Sequence, residues 1–202
     1  MGWYLGTRVD GQATTSVIVP STEQLWVAPD GRAHVHRVTS RPDGSRYVDD
    51  FTVGKDPVPV QLSTNEAVLA RQLAVGHPLS NGPVEKFVAL TDLAALQPIP
   101  PGAESAILRL LARTPALINR GRVIDRAGRR GVAVALDSSY SGLLTRYTWI
   151  FDPHTGALLS DEEMLIGDTG MLHVRRGSVT SYTNFLASGW TSSASSPPDG
   201  RR

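Results

Sequence analysis

The sequence predicts an α+β protein in which a curved, half-barrel-like antiparallel sheet carries about three helices packed on one face. Two observations predict this class. Segments with a two-residue hydrophobic period, separated by turn residues, occupy both ends of the chain, and segments with helical spacing lie between them. Strand blocks that flank a helix block are typical of helices segregated to one face of an antiparallel sheet.

The amino-terminal part of the chain, residues 3–53, has the pattern of an antiparallel meander. Its turns include two Pro-Asp-Gly sequences. Glycine accepts a positive φ and proline presets the corner, so these residues form turns for a physical reason. Pro57 and Pro59 then remove backbone donors, which predicts an extended linker. The predicted strands are WYLGTRV, TSVIV, TEQLWVA, RAHVHRVTS and RYVDDFTV.

The middle of the chain, residues 63–114, predicts three helices. In the first, Ser63 and Glu66 have the spacing of a capping box, and Leu69 and Leu73 lie one turn apart. The other two begin near a proline and end at another, in PVEKFVALTDLAALQPIP and PGAESAILRLLARTP. We expect these helices to cover the sheet.

The carboxy-terminal part returns to a two-residue period after Ala116, which predicts at least four more strands. In LLTRYTWIF the residues Tyr147, Trp149 and Phe151 share one face of a strand. We expect this aromatic face to meet the helices. One domain is predicted over residues 1–187, followed by a Ser/Pro/Gly-rich, disordered tail over residues 188–202.

The segment that follows this strand, DPHTG, has the composition of a hairpin corner. Asp152 and Pro153 suit the first positions of a turn, and Gly156 supplies a left-handed residue before the return strand. A catalytic histidine needs a buried partner that orients it. We therefore predict that His154 lies at an exposed corner and has no catalytic role.

Composition excludes several classes of function. The 202 residues carry a net charge of +1, which is too small for the field that nucleic-acid binding uses. The absence of cysteine excludes disulfides, thiol nucleophiles and cysteine zinc sites. No apolar run is long enough for a membrane span, and MGWYLGTRVDG has no signal-peptide pattern. An exported location therefore requires a longer parent protein.

The pair His34 and His36 is the candidate for metal binding, since alternate residues of a strand share a face. A third ligand would have to come from a distant histidine or carboxylate, so a solvated strand face is the favoured interpretation. Adjacent acids such as Asp49 and Asp50 point to opposite faces and cannot flank a glycosidic bond. No phosphate-loop, nucleophile-elbow, zinc-protease or dinucleotide motif occurs. We expect no catalytic residue, cofactor or metal.

A cluster of arginines around Asp125 predicts a local basic patch at a hairpin turn. Such a patch fits an acidic partner or acidic lipid headgroups, and a solvated hairpin explains the same pattern. The residues of this patch are Arg120, Arg122, Arg126, Arg129 and Arg130.

Three stretches resemble an uncharacterised family of actinobacterial membrane-anchored proteins associated with sigma factors. PIPPGAESAILRLLARTPALINRGRVIDRAGRRGVAVALDS and IFDPHTGALLSDEEML resemble its carboxy-terminal domain, and EQLWVAPDGRAHVHR resembles its upstream strand pair. The resemblance covers residues 3–185. It implies a domain on the extracytoplasmic face of the cell membrane whose parent protein carries the membrane helix that is missing from this sequence.

The order of strands and helices is also similar to the half-barrels of lipoprotein carriers and of periplasmic regulators of anti-sigma factors. This resemblance implies a sheet face that holds an acyl chain or a partner segment. Our leading hypothesis is therefore a non-enzymatic extracytoplasmic sensor or interaction domain that binds a lipid or peptide segment between sheet and helices, with Tyr147, Trp149 and Phe151 facing the ligand. The alternatives are a lipid carrier, which would co-purify with lipid, and a hydrolase without a recognisable motif.

Overall fold

A computed structural model provides the structure of the protein and describes residues 2–5, 8–9, 12–13, 17–54, 59–172 and 174–193. The described residues contain three α-helices and antiparallel strands that do not close into a barrel, which confirms the predicted α+β class with a curved sheet. None of these helices is long and apolar enough to cross a membrane.

The elements follow the predicted order of strands, helices and strands. The helices are α1 Glu66–Leu73, α2 Glu85–Leu96 and α3 Pro101–Ala112, with short 3₁₀ turns at Leu79–Asn81 and Gly170–Leu172. The strands are β1 Gly2–Leu5, β2 Arg8–Val9, β3 Gln12–Ala13, β4 Val17–Val27, β5 Ala33–Ser40, β6 Arg46–Val53, β7 Ile118–Ile124, β8 Arg130–Ser138, β9 Thr145–Phe151, β10 Leu158–Leu165 and β11 Val179–Asn184.

The described residues form two compact units. Unit 1 comprises those within Met1–Val58, Asp137–Tyr147 and Glu162–Thr183, and unit 2 comprises those within Pro59–Leu136, Thr148–Asp161 and Asn184–Arg202. Unit 1 contains β4, β5 and β6 with β1 in the order β6-β5-β4-β1, and unit 2 contains the three helices and β7. The residues of β8, β9, β10 and β11 are divided between the two units. The single domain expected over residues 1–187 stays a prediction. Residues 194–202 of the expected disordered tail lie outside the described residues.

Strand β4 differs from the prediction, which divided it at Pro20 into two strands. The structure shows one continuous strand that changes partner at this proline. Residues 17–20 pair with β1, and the pairs from Ser21 onwards are with β5. Proline has no backbone donor and is tolerated in a sheet where a ladder ends. The proline therefore marks the change of partner and does not end the strand.

The turns of unit 1 are those that the Pro-Asp-Gly sequences predict. The backbone N–H of Ala28 donates to Arg32 O at 2.8 Å, and that of Arg41 donates to Ser45 O at 2.8 Å. In each turn the aspartate also accepts a backbone hydrogen bond two residues later. Hydrogen bonds from the backbone and side chain of Arg32 lower the pKa of the Asp30 carboxyl, and those from the side chain and backbone of Ser45 lower the pKa of the Asp43 carboxyl. The local turn chemistry thus sets both hairpins.

The three predicted helices are present, but the predicted cap of α1 is wrong. Asn65, and not Ser63, is the N-cap. The side chain of Asn65 accepts hydrogen bonds from Ala67 N at 3.0 Å and Val68 N at 3.2 Å, while its backbone is extended. Glu66 pairs instead with Arg109 of α3 and with Arg113, the residue that follows α3. Asparagine and serine cap equally well, so backbone geometry decides between adjacent candidates.

Helix α2 packs against β9 through Trp149. Its ring lies 4.3 Å from that of Phe87 in α2, and its Nε1 donates to Thr91 Oγ1 at 3.1 Å. Phe87 and Trp149 are 0% and 2% exposed. This contact confirms that the aromatic side of β9 meets a helix. It satisfies the single donor of the indole while burying a large apolar surface.

The opposite face of β9 packs within the strands of unit 2. Ile150 forms a buried cluster with Ala133 and Leu159, against which Val123 packs. A Cβ added at Gly131 would lie 2.4 Å from Ile150 Cγ2 and 2.9 Å from a backbone oxygen. Only glycine fits this position, because a backbone atom cannot move aside cheaply. Strand β9 is therefore buried on both faces at its carboxyl end.

The DPHTG segment is the hairpin corner that its composition predicts. Asp152 Oδ1 accepts hydrogen bonds from His154 N at 2.7 Å and Thr155 N at 3.2 Å. Gly156 has φ 82°, and a Cβ on it would lie 2.7 Å from Leu108 Cδ1 of α3. His154 is exposed, as expected. The corner therefore depends on Asp152 and Gly156.

Replacing Trp149 with alanine is expected to lower the free energy of unfolding by about 3–5 kcal/mol, because a cavity replaces the ring beside Phe87. Urea denaturation followed by circular dichroism measures this loss. The matched control is His154→Ala at the exposed corner, which should change stability by no more than about 0.5 kcal/mol. Similar losses in the two variants would contradict the assignment of Trp149 to the core.

Candidate interaction surface

The three strands β4, β5 and β6 form a continuous antiparallel ladder in unit 1. Each β5 residue from Ala33 to Thr39 has a partner in both neighbouring strands. One face of the ladder carries buried residues, which include Ala33, Val35 and Ser21. The opposite face carries His34 and His36. Among the described strands, β6 lies at the end of the order and forms the edge of this ladder.

The two candidate metal-binding histidines lie together on the same face, as their spacing predicts, and both contact one carboxylate of β6. His36 Nδ1 lies 3.1 Å from Asp50 Oδ2, and His34 Nε2 lies 3.3 Å from Asp50 Oδ1. Trp26 of β4 packs beside His34 with ring centroids 5.5 Å apart. Among the described residues no group of three or more His, Cys, Asp or Glu has a geometry that holds a metal ion.

On the other face, an ion pair links β4 to β5. Arg37 Nε and Nη2 lie 2.7 Å and 2.6 Å from Glu23 Oε2. The residue opposite Arg37 in β6 is Asp49. Arg37 thus has an acidic residue opposite it in both neighbouring strands, and it contacts Glu23.

Strand β6 exposes apolar side chains on both of its faces. Tyr47 is 49%, Val48 53% and Phe51 42% exposed. The first and the third share one face, and Val48 lies on the opposite face with Asp50. The guanidinium of Arg41 lies 5.3 Å from the centre of the Tyr47 ring. Most edge strands are short, or covered, or charged along their length, because open edges promote strand pairing.

This arrangement suits the addition of an extended chain to the edge of the sheet. The outward-facing N–H and C=O groups of an edge strand can form hydrogen bonds with an added strand, and the alternate side chains determine which sequence binds. Here the apolar groups on both faces of β6 flank a central acidic pair, Asp49 and Asp50. The surface formed by Arg46–Val53 is called the β6 edge below.

The residues predicted to face a ligand, Tyr147, Trp149 and Phe151, are buried at 4%, 2% and 8% exposure. Trp149 contacts Phe87 and Thr91, as described above. Burial raises the pKa of the Tyr147 hydroxyl, a hydrogen bond with Ser141 lowers it, and the charge of Glu163 raises it. These are core environments, and the ligand-facing role of the three residues stays a prediction.

The predicted basic patch surrounds the turn between β7 and β8. Four of its arginines are exposed, but Arg129 is not a free cation. Its Nε donates to Asp125 Oδ2 at 2.7 Å, and its Nη1 and Nη2 donate to the carbonyl oxygens of Phe185 and Leu159 at 2.6 Å each. A β-bulge at Arg120 interrupts the expected alternation with Arg122. Arg129 therefore closes the hairpin, and the patch retains Arg120, Arg122, Arg126 and Arg130.

Two features of this surface have no strong signal in the sequence. The contact of Asp50 with both histidines depends on the β5–β6 register, which the turn at Gly44 sets. The exposure of β6 depends on its place at the edge of the ladder, which no local pattern encodes. A weak signal does exist, since the central Asp-Asp pair of RYVDDFTV is unusual in a strand buried on either face.

Comparisons with protein-family models, with curated proteins and with solved structures found no match.

Replacing Arg129 with methionine is expected to destabilise the protein by about 3–5 kcal/mol, because it leaves the buried Asp125 carboxylate and two carbonyl oxygens without their charged donor. The side chain of Asp125 is 0% exposed. Thermal and urea denaturation measure the loss. Arg130→Met removes an equivalent charge from the exposed neighbour and should cost no more than about 0.5 kcal/mol. Equal effects would show that Arg129 is an ordinary surface arginine.

Replacing Glu163 with glutamine is expected to stabilise the protein at pH 8 and to change its stability little at pH 4. Burial raises the pKa of Glu163 in the folded state. The folded chain therefore retains this proton to a higher pH than the unfolded chain, and wild-type stability falls as the pH rises through the folded pKa. Urea denaturation of both proteins at the two pH values measures the difference. A stability difference that is the same at both pH values would contradict this assignment.

Proposed function

We propose that this chain is a non-enzymatic interaction domain that binds an extended, basic segment of a partner protein along the β6 edge. The observation that carries the proposal is the exposure of Tyr47, Val48 and Phe51 on both faces of an edge strand. A partner strand would use the backbone groups of β6 and cover these side chains at once.

The acidic pair at the centre of β6 defines the charge of the partner. A second copy of the chain pairing antiparallel with β6 in full overlap would place Asp49 opposite Asp50 twice. Like charges that face each other across strands are destabilising, and opposite charges are stabilising. A partner segment with two basic residues at its centre and apolar residues on either side therefore fits the β6 edge better than a second copy does.

The interior of unit 2 supports an interaction domain over a lipid carrier. A carrier requires an open space between its helices and strands. At the contact between α2 and β9 the rings of Phe87 and Trp149 lie against each other and exclude solvent. Both side chains belong to a filled core, which leaves no room for an acyl chain at this position.

The location of the domain rests on the family resemblance described above. That resemblance implies an extracytoplasmic domain of a membrane-anchored protein associated with sigma factors, and we propose the same location for this chain. An exposed strand edge on such a domain would receive a segment of another envelope protein. The domain would then act as a sensor because it has a bound and an unbound state, which depend on whether that segment is present.

Binding of a fluorescein-labelled peptide, TVYRKVTV, tests the proposal by fluorescence anisotropy. The peptide matches β6 in length and places Arg-Lys opposite Asp50 and Asp49 in an antiparallel pair. The acidic peptide TVYEEVTV is the matched control and should bind roughly tenfold more weakly, because two opposite-charge pairs become like-charge pairs. The Tyr47→Lys/Phe51→Lys double variant should lose most of the affinity for the basic peptide.

Val75→Lys is the matched control variant, because Val75 is an apolar residue of unit 2 with 78% exposure. It should bind the basic peptide as the wild type does. Equal affinity for the two peptides, or no binding of either, would reject the proposal. Light scattering tests the other occupant. If the wild type is a dimer and the Tyr47→Lys/Phe51→Lys variant is a monomer, the β6 edge binds a second copy of the chain and not a partner segment.

A further inference from the structure

A small pocket lies among the helices of unit 2. Its volume is about 170 Å³. Leu73 and Ala74 at the end of α1, Leu79 of the connecting 3₁₀ turn and Leu110 of α3 form an apolar wall. One water occupies about 30 Å³ of liquid, so this volume corresponds to roughly six non-hydrogen atoms of a ligand.

A buried carboxylate lines this pocket. Glu85, the first residue of α2, is 2% exposed. Its Oε1 accepts a hydrogen bond from Asn81 Nδ2 at 3.1 Å, and its Oε2 is buried without a hydrogen-bond partner in the described structure. A buried carboxylate is costly unless donors satisfy its oxygens. Glu85 therefore has the capacity to accept from a donor that none of the described residues supplies.

The neighbouring charged groups leave this capacity unfilled. His77 Nδ1 lies 3.8 Å from Glu85 Oε1, and its Nε2 lies 3.5 Å from Asp92 Oδ2. His77 Nδ1 is also buried without a hydrogen-bond partner among the described residues. Burial raises the pKa of the Asp92 carboxyl, His77 lowers it and the charge of Glu85 raises it. Lys86 lines the pocket without an ion pair in the described part of the chain.

We propose that this pocket binds a small apolar primary amine, whose ammonium group donates to Glu85 and whose hydrocarbon part packs on Leu73, Leu79 and Leu110. The lining atom without a partner among the described residues is an acceptor, Glu85 Oε2, which favours a ligand that carries a donor over an anion. Charge-assisted hydrogen bonds to a carboxylate are stronger than neutral ones, so the amine is preferred to an alcohol of the same size. This site is independent of the β6 edge.

Titration of the isotope-labelled protein with n-pentylamine, 1-pentanol and pentanoate, followed by amide chemical shifts, tests this proposal. The amine should shift resonances of residues around the pocket with a dissociation constant on the order of 1 mM. The alcohol should bind roughly tenfold more weakly, and pentanoate more weakly still. Glu85→Gln should reduce the affinity for the amine to that for the alcohol.

Two further variants separate the pocket from general effects on the fold. Ala74→Met fills the pocket and should abolish binding of both the amine and the alcohol, whether or not Glu85→Gln folds. Asp168→Asn removes an exposed acid of unit 1 and should leave the affinity for the amine unchanged. The proposal is overturned if the amine causes no shifts at the pocket, if pentanoate binds as tightly as the amine, or if Glu85→Gln binds the amine like the wild type.

Discussion

The contact of Trp149 with Phe87 is the interaction on which the core of unit 2 depends. It joins α2 to a strand residue about sixty positions later in the sequence, through two large buried rings and one indole hydrogen bond. The helices also bury Leu69, Ile107 and Leu111, so their stability comes from packing and not from propensity alone. The buried cluster around Ile150 secures the other face of the same strand. Strand β9 therefore packs against α2 on one face and against the neighbouring strands on the other.

Most of the fold was predictable because its determinants are local. The turns at Gly31, Gly44 and Gly156 follow from residues that tolerate a positive φ, and the period of hydrophobic residues separates helices from strands. Errors arose where two local signals compete. Asn65 and Ser63 both have cap chemistry, and only the backbone shows which one caps α1. Pro20 has the chemistry of a strand breaker, but a change of partner allows it to remain within β4.

The candidate sites were less predictable because they depend on residues that are distant in sequence. The spacing of His34 and His36 predicts a shared face, but the contact of Asp50 with both of them depends on the register of the β5–β6 hairpin. In the sequence Glu85 has the pattern of an ordinary acid at a helix start. The structure places it beside the segment between α1 and α2, where Asn81 donates to it. Arg129 shows the same limit. The sequence places it in an exposed basic patch, but the carbonyl oxygens that accept its hydrogen bonds come from β10 and from the segment after β11.

The change of partner at Pro20 also bears on how this chain tolerates insertions. The β4–β5 register is set by the tight turn at residues 28–32, whereas residues 17–20 are aligned only against β1. An extra residue just before the proline would shift the pairing of β4 with β1 and leave the pairing of β4 with β5 unchanged. An extra residue after it would reverse the faces of half the ladder. Length variation among related sequences is therefore expected on the amino-terminal side of this proline.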